Sequence, residues 1–108
     1  MNSTIETGAA VSLDTLVAPT AHGIASRVLA KTAASNVTMF AFDAGQGLTE
    51  HTSTFEAFVL VIQGKLSLTV GGVSVAATAG TITRMPAGVP HAVDATEPTR
   101  MVLIMLRD

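Results

Sequence analysis

In residues 48–64, LTEHTSTFEAFVLVIQG, His51 follows Glu50 and precedes a Thr/Ser-rich turn, Glu56 and a strongly apolar run closed by glycine. A second histidine, His91, comes directly after the rigid segment PAGVP. Imidazole titrates near neutral pH and carries a nitrogen lone pair, so each ring suits a general base or a metal ligand. Ser53 adds a hydroxyl two residues beyond His51, and Glu50 and Glu56 are the carboxylates nearest in the chain. The chain has no cysteine, which excludes thiolate zinc sites, disulfide staples and cysteine nucleophiles. The remaining histidine, His22, stands apart from both stretches and reads as a surface or arm residue.

The elements that must position these groups are β-strands. Residues 1–20 are small and polar and end in APT, which reads as an N-terminal arm or one loose edge strand. From residue 21 to 108 short β-type runs alternate with turn signals, as one domain. The runs are IASRVLAK, NVTMFAFD, AFVLVI, LSLTV, VSVAAT, TITRM, HAV and MVLIML. IASRVLAKTAAS comes nearest to a helical period and is ambiguous by pattern. Gly71 and Gly72 between LSLTV and VSVAAT mark a two-residue hairpin, because glycine takes positive φ at both positions. Many short strands at regular spacing predict an all-β sandwich or barrel.

AFVLVI and MVLIML do not alternate, so both faces of these strands are expected to be buried. One face lines the interior. The other, with Phe58, Leu60 and Ile62, needs a cover, either a partner subunit in a homodimer or the arm folded back. Scattered charges and a net charge of −2 give no basic stripe, so nucleic acid is not expected as a partner. No run reaches membrane-spanning length, and the start lacks a signal peptide's basic and apolar regions. A soluble cytoplasmic protein is the expectation, and no membrane partner is expected.

The glycine, proline and histidine spacing resembles the cupin superfamily, whose barrels carry G-x5-H-x-H-x3-E-x6-G and G-x5-P-x-G-x2-H-x3-N motifs. Gly45, His51 and Gly64 stand at the first motif's spacing, and Gly80, Pro86, Gly88 and His91 at the second's. The likeness spans roughly residues 36–106 and is closest to small single-domain, RmlC-like cupins. It implies a double-stranded β-helix, or jelly-roll barrel, of two antiparallel sheets. Pro86 and Pro90 then fix the loop that delivers His91, and the two histidines meet at the barrel mouth.

The resemblance also implies what has been lost. The family's four metal-binding positions map to His51, Ser53, Ala57 and His91, so one imidazole is a hydroxyl here and the carboxylate is gone. Ala95 stands where the second motif ends in Asn. His51 and His91 remain as candidate catalytic residues or as a reduced pair of metal ligands. Two imidazoles need water or other ligands to complete a zinc, nickel, iron or manganese shell, and non-haem iron usually needs a carboxylate. With family turn geometry, residues 51, 53, 57, 59 and 61 face inward and Glu56 outward; Glu50 precedes an inward residue. Only a local bulge would bring either carboxylate round. Arg84 reads as outward-facing.

The expected pocket is lined by His51, Ser53, Ala57, Val59, Met85 and His91, with Val61 and other methionines behind it. This rather apolar wall suits a small organic ligand. Phe40, Phe42, Phe55 and Phe58 read as core and interface packing. Three functions stay open. The first is a metal-independent barrel that binds or senses a small apolar or weakly acidic molecule. The second is a cupin enzyme, either a metal-dependent dioxygenase, isomerase or lyase whose shell is completed by water, or a metal-free acid–base catalyst. The metal-free branch resembles sugar epimerases that pair His–Asp with Tyr, and this chain has no tyrosine. The third is a structural or partner-binding dimer with a vestigial pocket. The first and third are preferred.

Overall fold

A computed structural model describes residues 2–107. Its order is β1 (Asn2–Ser3), α1 (Leu13–Leu16), β2 (Ile24–Lys31), β3 (Ser35–Phe42), β4 (Gly47–His51), β5 (Glu56–Gln63), β6 (Lys65–Val70), β7 (Val73–Thr78), β8 (Ile82–Met85), β9 (His91–Ala95) and β10 (Thr99–Leu106). The strands form two antiparallel sheets, in the orders β1-β2-β3-β10-β5-β8 and β4-β9-β6-β7. This is the all-β jelly roll expected from the sequence. The ambiguous IASRVLAK run is strand β2, paired along β3. The run is short, and its tertiary pairing overrides a weak helical pattern.

The strands alternate where one face is wet and do not where both are covered. Along β5, Ala57, Val59 and Val61 are buried between the sheets, whereas Phe58, Leu60 and Ile62 are half-buried on the outer side. The inner core joins these to Phe42, Met101 and Leu103 of the same sheet and to Leu66, Leu68 and Val93 of the opposite one. Each fully buried Leu or Phe contributes about 2 kcal/mol relative to exposure.

The outer face of the six-stranded sheet carries a second cluster, in which Leu16 packs on Leu29, Met39 and Val102 with Ile5 and Val17 alongside. The N-terminal segment is thus a cover for that face. Backbone carbonyls tie it down: Arg27 donates to Thr4 O at 3.1 Å and Leu16 O at 3.3 Å, and Arg100 Nε donates to Val17 O at 3.0 Å. α1 and β4 are the two elements that pattern reading did not find, being only four and five residues long.

Glycines at two turns shape the path to the site. Gly71 and Gly72 close the β6–β7 hairpin with φ of 57° and 82°, the positive values that such a turn requires. At Gly64 (φ 91°) the chain leaves β5 for β6 of the other sheet, so close to its neighbour that a Cβ would lie 2.4 Å from Pro98 O. No side chain fits there.

Candidate functional site

The site is assembled from β4 and β9, which pair antiparallel with His51 opposite His91. On β9 the alternation is regular: His91, Val93 and Ala95 are buried and face the interior. On β4 it is broken. Leu48 pairs with Val93 and His51 with His91, so three steps along β4 match two along β9. The extra residue is a β-bulge, and it lets Leu48 and His51 share the inner face although their spacing is odd. Glu50 falls within the bulge and stays exposed.

The loop bearing Ser53 and the turn before His91 are stitched together by Gly88 N donating to Ser53 O at 2.8 Å. Gly71 N donates to Pro90 O at 2.8 Å and holds the residue preceding His91. At the other end of β9, Ala95 N donates to Gln46 O and Ala95 O accepts from Gly45 N, both at 2.8 Å. The backbone at Ala95 is therefore what clasps the start of β4, and no Asn side chain takes part.

The two imidazoles meet edge to face, with ring centroids 4.4 Å apart. Their Nε2 atoms are 3.1 Å apart, while His51 Nδ1 lies 2.7 Å from Thr49 O and His91 Nδ1 lies 3.2 Å from Val89 O. A carbonyl oxygen only accepts, so both Nδ1 atoms carry a hydrogen, and the two Nε2 atoms are left within hydrogen-bond distance of each other. His91 is 5% exposed; His51 stands at the open rim.

Beneath the pair is a cavity of about 190 Å³. Thr52 and Ser53 join the histidines at its polar end, and Leu48, Ala57, Val93 and Leu103 form apolar wall. Three methionines, Met85, Met101 and Met105, complete it. Of the expected pocket residues, His51, Ser53, Ala57, Met85 and His91 line this cavity. Val59 does not: it is fully buried one inward position deeper on β5 and belongs to the packed floor, as does Val61. Leu48, Thr52, Val93 and Leu103 were not anticipated as lining. For Val93 and Leu103 a signal existed, since they share strand parity with His91 and Met101; Leu48 was hidden by the bulge.

The donor set does not match the four-ligand metal site that the resemblance implies. Ser53 Oγ accepts from Phe55 N at 3.0 Å and so shapes its own loop. Glu56 points to the outer face, where Arg84 Nε donates to its carboxylate and Ala87 N donates to it at 3.1 Å. The Arg84 hydrogen bond, followed by that of Ala87 N, holds the Glu56 carboxyl below its ordinary value of 4.5. Arg84 accordingly faces outward. Among the described residues, no three His, Cys, Asp or Glu side chains converge as a metal-holding group.

His22 is remote from the pair. It is the only described non-glycine residue with positive φ, 59°, and its N donates to Asp43 Oδ2 at 2.7 Å. That bond and one from Ala44 N lower the Asp43 pKa. Both residues serve the turn into β2.

The sequence profile of the cupin domain matches residues 38–107. No curated protein matches the chain. Among solved structures, a conserved protein of unknown function from Streptococcus pyogenes is 28% identical with a TM-score of 0.93, over 100% of this chain and 96% of that one. A cupin 2 conserved barrel domain protein from Leptotrichia buccalis is 29% identical with a TM-score of 0.84, over 88% of this chain and 46% of that one. A cupin superfamily protein from Desulfitobacterium hafniense DCB-2 has the same fold, with a TM-score of 0.90 at 20% identity, over 96% of this chain and 95% of that one.

Proposed function

This chain belongs to the cupin domain family, and from that footing we propose that it is a small-molecule-binding barrel whose two histidines orient a small apolar or weakly acidic ligand without a metal. One observation carries the reading. Two imidazole Nε2 atoms converge at the rim of a mainly apolar cavity of about 190 Å³, and among the described residues no third His, Cys, Asp or Glu side chain converges with them. Such a site can hold and read a molecule: apolar walls supply burial and a few convergent polar atoms fix orientation. A catalytic triad or dyad needs a further group to orient and activate the imidazole, and here backbone carbonyls take that place.

A second reading rests on the 3.1 Å Nε2 separation, which two imidazoles bound side by side to one divalent ion would also adopt, given metal–nitrogen bonds of about 2.0–2.1 Å. His51 and His91 would then hold zinc, nickel, iron or manganese, with water completing the shell. A homodimer formed through the uncovered part of the outer sheet face, and a cytoplasmic setting, belong to the proposal as well.

The test is metal content per subunit by elemental analysis, before and after chelator dialysis, on wild type and on His51→Ala/His91→Ala. The expected result is metal well below one per subunit and unchanged by the substitutions, with small-molecule binding surviving dialysis. Near-stoichiometric metal that disappears in the double variant would establish the second reading instead.

A further inference from the structure

We infer that the cavity is also a site for a monovalent copper ion, Cu(I), held by His51 Nε2, His91 Nε2 and the thioether sulfurs of Met85 and Met105. The inference goes beyond the small-molecule reading and is independent of it. It differs from the divalent-metal reading in both the ion and the ligand set. Ion and small molecule use the same atoms, so each excludes the other.

Strand register brings the sulfurs to the cavity. Ala57 of β5 pairs with Met105 of β10 on one side and with Met85 of β8 on the other. Residues directly opposite share a face, with Cβ atoms about 4.5–5.5 Å apart. The row Met105–Ala57–Met85 therefore presents two thioethers to the interior, and all three residues line the cavity together with both histidines. Ala57 is the position at which the family's carboxylate has been lost, and its small side chain leaves the space between the methionines open. The two Nε2 atoms of the same cavity lie 3.1 Å apart, close enough for one ion to bond both. A metal ion displaces any hydrogen on the nitrogen it binds. Each Nδ1 meanwhile keeps its carbonyl, Thr49 O or Val89 O, the arrangement that orients a ligating imidazole. The assignment therefore holds whichever Nε2 carries a hydrogen in the free protein.

The donor set selects the ion. Thioether sulfur is soft and suits Cu(I), whereas manganese and other hard ions favour carboxylate, carbonyl and water. Every donor is also neutral. Among the described residues, no carboxylate lines the cavity, and the chain has no cysteine. The cost of desolvating an ion grows with the square of its charge, so a divalent ion with no anionic ligand is penalised more than a monovalent one. Two imidazoles and two thioethers suit Cu(I) better than zinc, nickel, iron or manganese.

The test is anaerobic titration of chelator-dialysed protein with Cu(I) and, separately, Zn(II), each against a competing colorimetric chelator. Wild type, His51→Ala and Met85→Leu/Met105→Leu are compared. Leucine conserves the methionine volume, so the double variant retains the packed core. Wild type should take up one Cu(I) per subunit and hold it more tightly than Zn(II). Both variants should lose at least about tenfold in Cu(I) affinity, and the methionine variant should hold Zn(II) as wild type does. In wild type with isotope-labelled methionine, the Met85 and Met105 methyl resonances should shift when Cu(I) is added. Wild type that takes up no Cu(I), or holds Zn(II) as tightly, would overturn the inference. So would either variant holding Cu(I) as tightly as wild type, or methionine resonances that do not move. Each of these outcomes leaves the small-molecule reading standing, because that reading is tested on dialysed protein without added metal.

Discussion

His51 and His91 present the same atom to the same point, and the family's other two ligating positions are what distinguish this site from a metal centre. Ser53 and Ala57 both line the cavity, so a larger ligating side chain at either would enter the space the histidines already share. Restoring the implied set as Ser53→His/Ala57→Glu should raise zinc or nickel affinity by roughly 100-fold or more, read as metal retained after chelator dialysis. A folded double variant that retains none would show that these two positions are not the ligand positions. At this scale the sequence was informative in a particular way. Spacing matched Ser53 and Ala57 to the motif, and alternation along β5 placed Glu56 on the outer face. That Ser53 Oγ accepts from Phe55 N, and that Glu56 is held by Arg84 and Ala87 N, depends on loop geometry that no spacing encodes.

Strands and turns carry the site, and the turns divide into those that tolerate change and those that do not. Gly64 and Gly80 have similar φ, 91° and 86°, but differ in surroundings. A Cβ on Gly64 would lie 2.4 Å from Pro98 O and 2.5 Å from Thr99 Oγ1, whereas a Cβ on Gly80 meets nothing within 4 Å. Gly80→Ala carries only the backbone strain of a positive φ and should cost about 1 kcal/mol. Gly64→Ala adds a clash with backbone at the corner between sheets and should cost about 3 kcal/mol. Denaturant unfolding of the two variants checks the contrast; equal losses would mean that the corner relaxes freely. Both glycines were visible as motif positions. Their difference was not, because it comes from Pro98 and Thr99, more than thirty residues along the chain from Gly64.

Across the whole molecule, the two-sided apolar strands anticipated a cover, and the N-terminal segment supplies part of it over Met39 and Val102. The far side of the same sheet stays open. Ile82 is 62% exposed and Leu106 44%, with Phe58 half-buried between their strands. The proposed homodimer uses this area, and a stable one buries about 800 Å² per partner. Ile82→Glu places a charge on this apolar area and should shift the chain to monomer, read by sedimentation or light scattering. A wild-type chain that is monomeric at high concentration would end the dimer proposal. Among the described residues, no helix is long and apolar enough to cross a membrane.

The sequence by itself determined the β architecture, the positions of most strands, the hairpin at Gly71–Gly72 and the family. These follow from local rules: side-chain period, turn chemistry and motif spacing. Tertiary structure alone decided that Leu48 and His51 share a face, because one extra residue in β4 against β9 shifts the alternation. It also decided that Val59 is floor and Leu103 wall, and that the arm covers part of the outer face of the six-stranded sheet. Each of these depends on which strand lies opposite which residue. Such pairings join segments tens of residues apart, and a pattern read along one strand does not contain its partner's register.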